Sequence, residues 1–309
     1  MQVHSLSDAF RPGNTVVTMG TFDGVHTGHR AVISRLKERS AALGAESVVV
    51  TFYPHPRKVI PGNSKPLAFL TTPSEKRDLL EKTGVDHLLV IDFNLELSMM
   101  EACDFVEKIL IGKIGAKHLI VGFNHRFGRG GKGDYNLVRQ CADKYGVTVE
   151  KVEEINSVAG TVSSSLIRDA LVGGRLEEAN RMLGYAYSIT GTVAGGRKLG
   201  RELGFPTANI SGIDPEKLIP ANGVYATEII LGGSKYLGMM NIGTNPTVNS
   251  DVAIKTVEVN IFDFNGDIYG SEITVLLKHR LRDEEKFSSL EELSARIAKD
   301  REDTLRLLR

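Results

Sequence analysis

Residues 20–29 read Gly20-Thr21-Phe22-Asp23-Gly24-Val25-His26-Thr27-Gly28-His29, and their reading decides how the first half of the chain folds. The β-branched run Val16-Val17-Thr18 leads in. An amphipathic stretch from His29, with Val32, Ile33, Leu36 and Leu43, leads out. A glycine-rich block in that setting is a strand-to-helix turn at the start of an α/β unit, where backbone N–H groups meet a phosphate. His26 and His29 add imidazole donors beside those amides. Such a cradle suits a nucleotide triphosphate better than a hydride carrier.

The rest of the first half alternates strand and helix. Val48–Phe52, Leu88–Phe93, Leu119–Phe123 and Val147–Val152 read as strands. Between them Thr72-Pro73-Ser74-Glu75 offers a cap, a proline at the first helical position and a capping-box glutamate, and Ser98-Met99-Met100-Glu101 repeats that spacing. Alternation of this kind predicts a parallel sheet covered by helices on both faces, a Rossmann-like domain. Near Gly184 the pattern changes to short alternating segments: Tyr187–Val193, Val224–Ile230, Tyr236–Met240, Val257–Phe264 and Ile268–Leu277. Turn signals at Gly232-Gly233 and Asn265-Gly266, the latter a strong hairpin cue, predict a small antiparallel β-barrel. Ser289-Leu290-Glu291-Glu292 opens a last helix to about Leu307. The reading is α/β plus β, with domains 1–184 and 185–309.

Composition sets the class. A chain of 309 residues, 41 % hydrophobic and 25 % charged, reads as a soluble globular enzyme of one large or two ordinary domains. The formal net charge of +0 gives no global field toward nucleic acid or anionic lipid, so neither partner is expected and any anion must be held locally. Cys103 and Cys141 have no metal-ligand spacing and suggest no disulfide framework; buried free thiols in a reducing cytosol are expected. Met1-Gln2-Val3-His4-Ser5 lacks the pattern of a secretion signal, and no apolar run approaches a membrane span, so a cytoplasmic protein is expected.

Three segments accompany the opening block. Tyr53-Pro54-His55-Pro56 ends a strand at the edge where ligands bind in open α/β sheets; His55 either touches ligand or, between prolines, shapes the loop. Gly122-Phe123-Asn124-His125-Arg126-Phe127-Gly128 ends another, followed by the basic loop Arg129–Asp134 with Lys132. Asn124 can offer amide hydrogen bonds there. Ser163-Ser164-Ser165-Leu166-Ile167-Arg168 starts a helix, and hydroxyls at a helix N-terminus with an arginine one turn on make a phosphate clamp.

The block at 20–29 resembles the HxGH signature of the nucleotidylyltransferase superfamily and, in its full form, that of the bacterial FAD synthetase family. Relatives carry Asp or Asn at the place of Asn124 and often an aromatic ring at that of His125. The resemblance implies transfer of AMP from ATP to FMN, with His26 and His29 donating to the α-phosphoryl oxygens and Ser164 and Arg168 holding the leaving phosphates. It implies further ATP or FMN contacts at Gly20, Phe22, Asp23, Gly24, Gly28, Asn124 and Ser163. No activated Ser or Cys nucleophile is evident, so positioning and charge stabilisation carry the step.

The second half has its own signature: Gly191-Thr192-Val193, the run from Gly195 through Arg197, Gly200 and Arg201, then Gly204-Phe205-Pro206-Thr207-Ala208-Asn209. Glycines permit close backbone approach to phosphate, and the basic residues supply charge. Thr207 and Asn209 are hard oxygen donors two apart, on one side of an extended segment. The Pro-Thr-Ala-Asn sequence matches the riboflavin kinase family, and this resemblance makes Thr207 and Asn209 ligands of Mg²⁺. It makes Glu258, in Thr256-Val257-Glu258-Val259-Asn260-Ile261, the base for the riboflavin 5′-hydroxyl. Asn260 replaces a histidine often found there. Gly191, Gly195, Arg197, Gly200, Arg201 and Arg282 are expected around ATP or flavin. Taken together the motifs resemble the prokaryotic bifunctional FAD synthetase family, with Mg²⁺ and ATP, and with riboflavin, FMN and FAD as substrates and products.

Overall fold

The computed structural model of the chain describes residues 1–309 apart from 9, 11, 61–67, 124, 154–155, 158–159, 196–203 and 246–253. It divides into two compact units, Met1–Val162 and Ser163–Arg309. In the first unit β1 (Gln2–Ser5), β2 (Thr15–Met19), β3 (Glu46–Tyr53), β4 (His87–Asp92), β5 (Ala116–Val121) and β6 (Thr148–Lys151) form a six-stranded sheet in the order β1-β4-β3-β2-β5-β6. Every pairing is parallel. A parallel sheet is buried on both faces, and the alternation along the strands shows it. Val17, Val48, Val50 and Leu119 enter one apolar cluster, while Val16, Val49, Leu88 and Ile120 enter the other.

Helices cover these faces. α1 (Thr27–Leu43) follows β2, and α2 (Pro56–Val59) and α3 (Pro73–Glu81) follow β3. α3 has the full capping box expected of it, with Thr72 and Glu75 satisfying each other's backbone. The second predicted box does not form. α4 (Leu95–Met99) is capped by Asn94, so Ser98 lies inside it and donates to the Leu95 carbonyl at 2.7 Å. α5 (Ala102–Asp104) then runs on as a π-helical turn over Phe105–Ile111. α6 (Tyr135–Asp143) precedes β6, and the short strands β7 (Asn156–Ser157) and β8 (Gly160–Thr161) pair with each other.

The cysteines correct the sequence reading. Cys103 on α5 and Cys141 on α6 form a disulfide, with Cα atoms 5.4 Å apart. Both helices pack on one apolar cluster, which brings together residues 38 apart in sequence. A spacing along the chain cannot disclose that meeting.

In the second unit α7 (Ser164–Val172) and α8 (Leu176–Leu183) precede the strands β9 (Tyr187–Ala194), β10 (Ala208–Ser211), β11 (Gly223–Leu231), β12 (Ser234–Asn245), β13 (Ile254–Ile261) and β14 (Glu272–Arg282), and α9 (Leu290–Leu308) ends the chain. The six strands close into an antiparallel barrel, β10-β13-β12-β11-β14-β9, with β9 joining both ends. Asn180 of α8 donates to the Leu277 carbonyl at 2.9 Å and accepts from the Tyr187 amide at 2.8 Å, so this helix belongs with the barrel by packing. Gly232 and Gly233, at φ 55° and 80°, make the tight β11–β12 turn. Asn265-Gly266 makes no such hairpin. β13 and β14 are not neighbours, because β12 and β11 lie between them in the barrel.

Gly191 shows how tightly the barrel closes. A Cβ there would stand 2.6 Å from both Ile210 Cγ2 and the Ser211 carbonyl. Gly191→Val is expected to lower the stability of this unit by about 1–3 kcal/mol through overpacking. Urea unfolding monitored on the full chain checks this, and an unchanged midpoint would contradict it.

Candidate active sites

The first site grows from the end of β2. The Gly20 amide donates to the Val50 carbonyl at 3.0 Å, continuing the sheet by one residue. The chain then turns through left-handed backbone at Phe22 (φ 48°), Gly24 (φ 83°) and Val25 (φ 35°). Asp23, 2 % exposed, holds this turn. Its carboxylate accepts from the Leu70 amide at 3.0 Å and the Thr71 amide at 3.2 Å, and the Thr71 hydroxyl lies at 3.4 Å. Gly24 N–H donates to that hydroxyl oxygen at 3.1 Å. Asp23, expected at the ligand, is thus engaged in bracing the loop.

His26 caps α1, its Nδ1 accepting from the His29 amide at 3.3 Å. An accepting Nδ1 leaves the ring N–H of a neutral imidazole on Nε2. The two rings stack with centroids 3.6 Å apart, and Phe22 meets His29 edge-on at 5.1 Å. Gly28 is small for a reason: a Cβ there would lie 3.3 Å from the His26 ring. Burial, then the neighbouring charges of His26 and Lys76, push the His29 pKa well below its usual value. Burial thus favours the neutral imidazole at His29. Lys76, from α3, donates to the Thr21 carbonyl at 2.8 Å and fastens the loop from its other side. Nothing in the sequence marked Lys76, because it acts from a helix distant in the chain. Two imidazoles at the N-terminus of a seventeen-residue helix make a site for an anion.

At the end of β5, Asn124 lies outside the described residues. Phe123 is exposed, with the Lys151 ammonium 4.6 Å from its ring centre. Arg126 and Arg129 reach Asp134 and Glu101, each at 3.6 Å, between exposed side chains, so their charges are partly answered by neighbours. His55 caps α2, its Nδ1 accepting from the Arg57 amide at 3.1 Å. In the second unit Ser163 caps α7, its hydroxyl accepting from the Leu166 amide at 3.3 Å, and Ser164 and Arg168 follow within that helix.

The barrel builds the other site by register. Asn209 on β10 pairs with Glu258 on β13, and Glu258 pairs with Asn241 on β12. Asn241 pairs with Val224 on β11, and Val224 with Arg282 on β14. Directly paired residues share a face, so these five form one row across the wall. Val257 and Val259, of opposite parity, are buried in the barrel core. A cavity of about 310 Å³ lies over the row, where α9 supplies Leu293, Ile297 and Asp300 as the facing side. Glu258 and Thr207 line it, with the Thr207 hydroxyl 3.4 Å from Glu258 Oε2.

Arg282 also lines this cavity, but its guanidinium is held by Asp300 of α9, with Nη2–Oδ2 at 2.7 Å. It joins the helix to the barrel. Gly191 faces the barrel interior and serves close packing, whereas among the described residues nothing lies within 4 Å of a Cβ built at Gly195. Arg197, Gly200 and Arg201 lie outside the described residues. Asp300 was missed in sequence; helix docking, which brings it in, leaves no local signal. Among the described residues no group of three or more His, Cys, Asp and Glu could hold a metal ion. Thr207 and Asn209 instead offer the sparse, hard oxygen set that suits Mg²⁺ when phosphates and water complete its shell.

Two outcomes test this geometry. Asp23→Ala leaves the Leu70 and Thr71 amides without their carboxylate, and is expected to cost about 1–3 kcal/mol in urea unfolding. His125, largely buried, has an Nε2 without a hydrogen-bond partner among the described residues, and burial lowers its pKa to about 4. The unfolded chain takes up this proton near the ordinary value of about 6.5, so between there and about 4 unfolding is favoured as pH falls. His125→Phe is expected to make the loss of stability from pH 7 to pH 5 less steep, and an identical pH profile would refute the assignment.

Comparison with known proteins shows the family. The family model described as FAD synthetase matches residues 9–166, and that described as riboflavin kinase matches 183–308. A bifunctional riboflavin kinase/FMN adenylyltransferase of Listeria monocytogenes is 38 % identical over 96 % of this chain and 94 % of its own. The Escherichia coli K12 protein of the same name is 37 % identical with the same coverage. A crystal structure from Streptococcus pneumoniae, described as a macrolide-efflux protein, superposes with a TM-score of 0.90 at 30 % identity, covering 98 % of each chain. Among the described residues no helix is long and apolar enough to cross a membrane. With both family models matched in order and relatives similar from end to end, the chain belongs to the bifunctional riboflavin kinase/FMN adenylyltransferase family.

Proposed function

We propose that the chain makes FAD in two ATP-dependent steps, with riboflavin and ATP giving FMN and ADP, then FMN and a second ATP giving FAD and pyrophosphate. The observation that carries this reading is the Glu258 carboxylate, set in the barrel-wall cavity between Asn209 and Asn241 and beside Thr207. There Glu258 accepts the proton of the riboflavin 5′-hydroxyl as that oxygen bonds to the γ-phosphorus and the bond to ADP breaks. Thr207 and Asn209 would hold Mg²⁺, whose charge, when it is bound, neutralises phosphate oxygens. Arg197, Gly200 and Arg201 are assigned to the phosphates by resemblance, and Arg282 shapes the flavin side of the cavity.

In the second step an FMN phosphate oxygen bonds to the α-phosphorus of ATP and the bond to the β-phosphate bridge breaks. His26 and His29 donate to the α-phosphoryl oxygens, with the backbone of Gly20, Gly24 and Gly28 permitting close approach and Phe22 supporting His29. Asn124 is assigned to FMN, and Ser163, Ser164 and Arg168 to the leaving pyrophosphate. No nucleophilic side chain is required, since FMN brings its own phosphate. We assign adenylyl transfer to residues 1–184 and phosphorylation to 185–309, a division by chemistry that differs from the division by packing. We place the protein in the cytoplasm, where ATP is supplied and the Cys103–Cys141 bond faces a reducing thiol pool.

Incubating the purified chain with riboflavin, ATP and Mg²⁺, and separating flavins over time, tests both steps. FMN is expected first and FAD after it. Glu258→Gln should slow the first step by about 10²–10⁴-fold while FMN is still adenylylated. His29→Ala should slow the second by about 10²–10³-fold and leave FMN to accumulate. A folded protein that converts neither flavin would overturn the reading.

A further inference from the structure

The segment that delivers Thr207 to Glu258 has a second attachment, made by a residue the mechanism does not use. Asn260 stands two positions beyond Glu258 on β13, so both project to the same face. It is 5 % exposed and lines the same cavity. Its Nδ2 donates to the Pro206 carbonyl at 2.7 Å, across 54 residues of sequence. Pro206 immediately precedes Thr207, and proline has no N–H of its own to pair with a neighbouring strand. The ladder between β10 and β13 covers only Ala208 and Asn209. The Asn260 side chain therefore extends the pairing past the end of β10, to the residue before Thr207.

β13 is itself fixed at this point. Asn260 pairs with Met239 on β12, and at the neighbouring Gly238 any Cβ would collide with the Asn260 carbonyl oxygen and with Ile229 Cδ1. The close approach of the two backbones leaves Asn260 little room to shift. Thr207 is otherwise exposed, and its hydroxyl approaches Glu258 Oε2 at 3.4 Å.

We propose that Asn260 is a positioning residue of the phosphorylation site: its amide latches the Pro206 carbonyl and so presets the Thr207 hydroxyl beside Glu258 before substrates arrive. The inference rests on the kinase reading of this unit. The latch gives that segment a fixed backbone without closing the cavity, since the amide reaches it along the wall. An amide also donates equally at any pH from 5 to 9, so the presetting does not titrate.

The full-length chain tests this through Asn260→Leu, Asn260→Asp and Asn260→His. In the protein without ligands, amide hydrogen exchange of a peptide spanning residues 204–211 is expected to quicken at least tenfold in Asn260→Leu and Asn260→Asp. It should stay near the parent rate in Asn260→His, whose Nδ1–H can still donate. Losing one buried hydrogen bond corresponds to about a 10- to 100-fold change. Riboflavin phosphorylation should fall in kcat by that factor in the Leu variant, with a raised Mg²⁺ requirement and little change in KM for riboflavin. Asn260→Asp should recover activity as acid protonates its carboxyl and restores a donor. FMN adenylylation, measured on the same samples, should be unchanged and reports that the chain is folded. Unchanged exchange in Asn260→Leu would overturn the latch, as would a higher KM for riboflavin at parental kcat, which would make Asn260 a flavin contact. Failure of the parent chain to phosphorylate riboflavin would instead strike the kinase reading and leave the exchange result standing.

Discussion

A buried carboxylate needs hydrogen-bond donors, and at Asp23 that requirement organises the loop at the end of β2. The Leu70 and Thr71 amides can satisfy it only if the chain after β3 is drawn across the loop that follows β2. Once they do, the backbone can hold left-handed turns at Phe22, Gly24 and Val25 that would otherwise be strained. Those turns aim His26 at the first free amides of α1. The stacked imidazoles, the edge-on Phe22 ring and the Lys76 tether all depend on this one loop shape. Backbone amides and imidazole rings can act only through placement, so what they offer here depends on the loop's shape.

The barrel reaches a comparable result by a different constraint. Closure by β9 fixes the register of every ladder, and register alone puts Asn209, Glu258 and Asn241 side by side. A one-residue slip would turn Glu258 into the core and Val259 outward. The Arg282–Asp300 pair then holds α9 over the row. The pair's carboxylate is nearly fully buried and Arg296 also approaches it at 3.6 Å, so the helix stays docked. The cavity is thus a consequence of the barrel wall having a lid made from the chain's own end.

Much of this was legible in order along the chain. The strand Val16-Val17-Thr18, the glycine turn and the helix after His29 announce a strand–turn–helix unit because hydrophobic period and glycine placement are local properties. The Thr72 capping box formed as read, since its partners lie three residues apart. Ser98-Met99-Met100-Glu101 has the same spacing and failed, because Asn94 caps earlier and the helix that follows begins anew after a break. Asn265-Gly266 misled for a related reason: a turn dipeptide favours a hairpin only when the flanking strands are neighbours, and closure of the barrel decides that. The cysteine pair lay beyond any local rule, as did Asp300 and Lys76.

The sequence by itself determined the chemistry available: two imidazoles beside a helix start, a carboxylate on an alternating strand, hydroxyl and amide oxygens two apart, and the two kinds of sheet that carry them. These follow from side-chain type and from periods of two and of 3.6 residues, which act over a few positions. Only the tertiary structure decided which of these groups meet. Asp23 with Leu70, Glu258 with Asn209 and Asn241, and Asn260 with Pro206 are joined across 47 to 54 residues or by pairing between separate strands. Such meetings are set by burial and strand register, whose free energy belongs to the whole unit rather than to any segment.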